Sequence, residues 1–411
     1  MPPDRASGTN LRLISTRLIT TWNRSRSAQL GCAVTTALAL TSLPGCGSGM
    51  SEAARATALE RSLAAIDPDA EPLPPQPPPQ DGNVAFNTEY YLGSAEEEAA
   101  QFRAFSDQIQ ALQRKAASEH GQPIQRGFHA KAHACLRGTF KPATDRAART
   151  RFGIFKSDAP RPVWVRFSNG VGWKQPDKDL DARGMAIKVM GVQGPKYLPD
   201  EAETQDFLMT NSPTPVGANA VDFMKFAEAN TDGRIAGVFF LLSHLRVAGG
   251  ALTKTGPVDS MVTQQYWSGG AFHLGAHQAV KFTALPCDPY AIRQPERDRD
   301  DYLRADLVDA AKEGICMRFY VQFQVDPVET PIENASREWT EEKSPLVPVG
   351  TVEMPPQTFD SDAQKAACDQ LTFSPWHSIP AHKPMGHINR ARRYVYHASQ
   401  TQRRGGGEPH P

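Results

Sequence analysis

Val163-Trp164-Val165-Arg166-Phe167-Ser168 (VWVRFS) alternates apolar and mixed positions without a break. On a strand, Val163, Val165 and Phe167 share one face and Trp164, Arg166 and Ser168 the other. The β-branched and aromatic residues of the first face describe a strand lying on a core. An Arg and a Ser beside a Trp either meet solvent or line a polar pocket, and taken alone the solvated face is the simpler reading. Further strands are expected at Ala186–Val192 (AIKVMGV), in parts of Ala271–Ala284 and at Met317–Val325 (MRFYVQFQV). Around them the period changes. Phe102, Phe105, Ile109 and Leu112 recur at helical spacing within Glu96–Ser118. That stretch carries acids at its start and bases near its end, as the helix dipole favours. Shorter helices are predicted over 220–230, 237–245 and 301–312, and a last, strong one over 388–403. Helix, then strands, then helices is the order of an α+β chain with an antiparallel sheet or barrel and surrounding helices.

The chain has 411 residues, with 45 Lys+Arg against 45 Asp+Glu. Zero net charge excludes a strongly basic nucleic-acid binder, so no nucleic-acid partner is expected. Six Cys are too few for a disulfide scaffold. Residues 1–27 hold five Arg and one acid, and Ala28–Leu43 is mildly apolar before Pro44-Gly45-Cys46. This is the pattern of an export signal, and its LPGC ending resembles the bacterial lipobox, in which the Cys is lipidated. Residues 1–46 are therefore expected to be an export and lipoprotein signal, with Cys46 the membrane anchor and the periplasm or cell envelope the location. Seven Pro between residues 67 and 83 make 47–83 a spacer of extended backbone. A single folded domain over 84–404 and a flexible tail at 405–411 complete the division.

No phosphate-binding loop, HExxH, GxSxG or CxxC motif occurs. His129 and His133 stand four apart and would share a face if helical, but a third metal ligand at useful spacing is missing. Cys135, Cys287, Cys316 and Cys368 are scattered singly, as buried thiols or, after export, in disulfides. On the last helix Arg392, Tyr396, Ser399 and Arg403 fall at i, i+4, i+7 and i+11, a single stripe. Such a stripe alone describes a wet helix face. Its functional reading is an Arg-supported phenol, because a cation one turn away favours the phenolate, a hard anionic ligand suited to ferric iron.

The order and spacing of these pieces resemble the haem catalase superfamily, in its shorter, catalase-related branch. Arg126-Gly127-Phe128-His129-Ala130-Lys131 resembles the segment carrying the distal His, and Val165-Arg166-Phe167-Ser168 the VRFS segment. Asp181-Ala182-Arg183-Gly184-Met185-Ala186-Ile187-Lys188 is similar to DxRGFALK, and Gln205–Pro213 to the segment with the distal Asn, here Asn211. Arg392-Arg393-Tyr394-Val395-Tyr396 resembles the proximal RxxxY; Tyr394 competes for the iron, but Tyr396 has Ser399 and Arg403 downstream in register. The resemblance implies a catalase-like barrel with a C-terminal proximal haem helix, haem b as cofactor and Tyr396 as iron ligand. It implies that Arg126, Arg166 and Arg403 pair with propionates and that Arg392 supports Tyr396. His129 would be the general base and acid toward peroxide, oriented by Ser168, with Asn211 holding the substrate. Hydrogen peroxide is the implied substrate, decomposed to water and dioxygen as a defence against oxidative stress. Thr214-Pro215-Val216-Gly217-Ala218 stands where catalases place the Phe residues of the distal wall. That departure suits two alternatives on the same fold, a peroxidase with an organic electron donor or a converter of organic and lipid hydroperoxides. A non-catalytic surface binding lipoprotein is the alternative from another class.

Overall fold

In a computed structural model, residues 89–198, 203–232, 257–288 and 297–404 are described. The export signal with Cys46, the Pro-rich spacer over 47–83, the helix expected over 237–245 and the tail lie outside them.

The VWVRFS stretch sits within β2 (Arg161–Asn169), between β1 (Ala132–Pro142) and β3 (Arg183–Met190). Sheet order then continues through β4 (Thr204–Thr210) and β5 (Tyr266–Trp267) to β7 (Gln278–Pro286). From β7 it runs through β8 (Ile315–Phe323) and β9 (Val347–Met354) back to β1. Every pairing is antiparallel, and the β7–β8 ladder closes the circuit into an eight-stranded barrel. Closure leaves no free edge between these strands. Two short strands, β6 (Ala271–Leu274) and β10 (Pro384–Met385), extend from β7 outside the circuit.

Alternation on β2 works as expected: Val163, Val165 and Phe167 join the interior core. The interior is aromatic. Phe207 meets Phe282 edge-on at 4.6 Å, and Phe282 stacks on Phe319 at 5.6 Å. Phe140 and Phe155 complete this ring cluster. Each such side chain contributes on the order of 1.5–3 kcal/mol by leaving water. The opposite face of β2 is not solvated, however. Arg166 and Ser168 are each only 3% exposed, because loops and helices cover the barrel on that side.

Five helices surround the barrel among the described residues: α1 (Ala95–His120), α2 (Ala220–Thr231), α3 (Tyr302–Glu313), α4 (Asp362–Gln370) and α5 (His387–Arg403). Ser94 and Glu97 form a capping box at the start of α1, and Gly121 in the left-handed region ends it. Ile109 of α1, Met224 of α2, and Val395 and Ala398 of α5 pack into one cluster. Thus α5 is buried on the face it turns to α1 and α2. The sequence left β1, β4, β9 and α4 unassigned. β1 is buried on both faces over much of its length, so its hydrophobic pattern has no period of two.

Candidate active site

His129 and His133 are not a helical pair. Ala132–Pro142 is a strand, and His133 is buried with Nε2 2.7 Å from Asn169 Oδ1. Among the described residues no group of His, Cys, Asp and Glu is placed to hold a metal ion. His129 instead occupies the turn before β1 with φ 59°, where a non-glycine residue is strained and the surroundings must hold it. They do. Its N–H donates to Gly170 O at 2.8 Å, and Arg166 Nη2 donates to its carbonyl at 2.8 Å. Its Nδ1 lies 3.2 Å from Ser168 Oγ. Burial, and then the positive charge of Arg166, push the imidazole down to about 3, so it is neutral across the physiological range.

The segment Asp181–Gly184 builds much of this geometry, and sequence reasoning gave it no role. Asp181 Oδ2 accepts from the N–H groups of Gly170 and Val171 at 3.1 and 3.3 Å, which fixes the turn that holds His129. Burial raises the Asp181 carboxyl to about 6 against the pull of Arg183. Arg183 is fully buried and donates to Asn169 Oδ1 at 2.6 Å and to Asp177 O at 2.7 Å. Its backbone N–H donates to Asn211 Oδ1 at 2.7 Å, setting the orientation of that amide. Gly184 makes room: a Cβ there would come within 2.5 Å of His129 Nδ1.

On α5, Arg392 Nη2 donates to Tyr396 Oη at 2.8 Å, and Nη1 donates to Asn389 Oδ1 at 3.1 Å. The i, i+4 spacing has become a contact. Tyr394 is turned the other way, its ring 5.5 Å from Phe102 of α1. Arg390, the cation one turn before Tyr394, is occupied by Glu89, Glu98 and Glu333. The α5 stripe is not a wet face. Tyr396, Ser399 and Arg403 line a cleft together with Arg126, Phe128 and Phe373. Ser399 Oγ also accepts from Gly127 N–H at 3.0 Å, which joins α5 to the loop carrying His129.

Arg126, Arg166 and Arg403 form one positive cluster beside this cleft. Burial lowers each guanidinium, Arg166 to about 10; neighbouring cations add to this for Arg126 and Arg166, and the Asp369 carboxylate, 3.8 Å from Arg126 Nη1, opposes it for all three. Arg166 Nε and Arg403 Nε and Nη2 are buried without a hydrogen-bond partner. Unanswered donors on buried cations are costly, and they fit a bound anionic group that would accept from them. The sequence-predicted residues therefore gather as two neighbouring sets. His129, Ser168 and Asn211 stand on the barrel side, and Tyr396, Arg392, Arg403 and Arg126 on the cleft side, bridged by Arg166 and the loop 126–129.

Solved structures with a similar architecture include catalases. Catalase A from Saccharomyces cerevisiae superposes with a TM-score of 0.57 at 18% identity, over 70% of this chain and 63% of that one. A bacterial catalase gives 0.54 at 18% identity over 70% and 59%, and a fungal catalase 0.58 at 17% over 82% and 67%. The chain spans about three fifths of the length of the first two. No protein-family model matches it, and no curated protein matches it in sequence. The chain has a catalase-like fold, an α+β architecture on a closed antiparallel barrel.

Proposed function

We propose that this protein is a haem-dependent enzyme that decomposes hydrogen peroxide to water and dioxygen. One observation carries the reading: a phenol held by a guanidinium, Arg392 to Tyr396 at 2.8 Å, faces a cleft beside buried guanidiniums with unanswered donors. Haem b fits that donor set, with Tyr396 as iron ligand and the propionates as acceptors for the open donors of Arg166 and Arg403, beside the Arg126 cation. Bound there, haem iron supplies the redox chemistry. The protein supplies position and proton transfer. Arg392 holds the Tyr396 oxygen as an acceptor. His129 Nδ1 is committed to Ser168, which leaves Nε2 to take a proton from peroxide and return it to the departing oxygen. A neutral imidazole is the form that can accept this proton. Asn211, its amide set by Arg183, orients the peroxide.

The turn after Asn211 supports a second reading. Ser212 Oγ donates to Thr214 O at 2.8 Å in a small, polar turn where the family carries bulky rings, which suits organic or lipid hydroperoxides and peroxidase donors. Two disulfides, Cys135–Cys368 and Cys287–Cys316, favour an oxidising compartment and so accord with export and a lipid anchor at Cys46.

The test is oxygen release from hydrogen peroxide by the full chain loaded with haem. Two peroxides consumed per dioxygen is the expected stoichiometry. A protein with a haem absorbance band but no oxygen release moves the activity to the second reading, and a protein that takes up no haem overturns both.

A further inference from the structure

We infer that α4 is the positioning element of the guanidinium cluster, and that its disulfide to β1 controls how tightly haem carboxylates are held. The inference rests on the haem reading above. The last carbonyls of α4 and of the residue after it receive three arginines. Arg126 Nη2 donates to Leu371 O at 2.6 Å and to Asp369 O at 3.3 Å. Arg403 Nη1 also donates to Asp369 O, and Arg404 Nη2 donates to Gln370 O at 3.2 Å. Cations suit a helix C-terminus, where carbonyls lack helical partners and the dipole is negative. With Arg403 Nη1 engaged there, its Nε and Nη2 remain the unanswered donors. The position of α4 therefore sets where the cluster can meet an anion.

Among the described residues α4 has few other anchors beyond the Asp369 carboxylate, 3.8 Å from Arg126 Nη1. Of its nine residues only Cys368 is buried, so the helix has almost no apolar face with which to grip the barrel. A capping box from Ser361 and Gln364 stabilises its first turn but attaches it to nothing. Cys368 is bonded to Cys135 of β1, 233 residues away, and immediately precedes Asp369. The bond ties the carbonyls that receive Arg126 and Arg403 to a barrel strand. A dithiol opens it by two successive thiol–disulfide exchanges. Two electrons and two protons pass to Cys135 and Cys368, and the dithiol leaves as its own disulfide.

The experiment uses the full chain carrying Cys287→Ser and Cys316→Ser, so that Cys135–Cys368 is the disulfide under test. Haem and haem dimethyl ester, which lacks free carboxylates, are titrated by absorbance before and after dithiothreitol, with free thiols counted. Reduction is expected to weaken haem at least tenfold and the ester less than twofold. Equal weakening of both overturns the inference, because it reports general loosening, and so does unchanged haem affinity with the thiols free. If the oxidised protein binds neither compound, the haem reading has failed and the clamp is judged by amide hydrogen exchange over 362–371. Faster exchange after reduction supports it, and unchanged exchange overturns it.

Discussion

The barrel interior and the cleft against α5 are both buried, yet they treat polar groups in opposite ways. Inside the barrel, rings fill the space, and His382 stands among Phe155, Phe207 and Phe282. It accepts from Ile154 N–H at 3.0 Å and is pushed down to about 3 by burial, so the interior carries it as a neutral acceptor. Beside the cleft, Arg126, Arg166 and Arg403 gather around the Asp369 carboxylate, and Arg166 and Arg403 keep buried donors without a partner. The first region is optimised for packing. The second gathers cations whose burial the Asp369 carboxylate partly offsets, and a bound anion would relieve them further.

Substitutions can break or sharpen this contrast. The largest effect is expected from His129→Ala, which should keep haem and lower peroxide turnover by about 10²–10⁴, the usual worth of a positioned general base; stopped-flow kinetics on the haem-loaded protein measures it. Phe282→Ala attacks the other region. It should cost about 3–5 kcal/mol in denaturant unfolding, with turnover per folded molecule retained. Gly184→Ala should displace the His129 ring and cost about 10² in turnover, with haem affinity within a few-fold of the parent. Arg403→Met should act in opposite directions on the two properties. The haem-free protein should gain up to about 1 kcal/mol, since relief of the unmet Nε and Nη2 donors outweighs the lost Nη1 bond to Asp369 O, while haem binding weakens. A haem-free variant that is destabilised would remove the contrast drawn here.

A separate effect concerns pH. His129 and His382 are held down to about 3, whereas an unfolded chain protonates them near their ordinary value of 6.5. Between those values the unfolded state binds more protons, so stability should fall as pH drops through that window and should be independent of these two groups above it. Calorimetric melting from pH 7 to pH 4 checks this, and His129→Ala should flatten the decline.

Much of the fold was legible where the pattern is local. The alternation of β2, the helical spacing of α1 and the ends of α5 follow from periods of two and 3.6 that any short stretch displays. β1 was not legible because residues 133–136 are buried on both faces and lose that alternation, β9 because Pro348 and Gly350 interrupt its strand pattern, and α4 because a nine-residue exposed helix has almost no apolar stripe. The solvated readings of the Arg166–Ser168 face and of the α5 stripe failed for one reason: what covers a face comes from elsewhere in the chain.

The same division runs through the site. Arg392 and Tyr396 are one helical turn apart, so the sequence alone determined their meeting, and it determined that Tyr396, rather than Tyr394, shares a stripe with Ser399 and Arg403. The tertiary structure decided the rest. It alone paired Cys135 with Cys368, brought Arg126 and Arg403 to the end of α4, set the Asn211 amide through Arg183 and cleared space at Gly184 for His129. Each of those contacts joins residues far apart in the chain, and no local period encodes which distant groups a closing barrel brings within hydrogen-bonding distance.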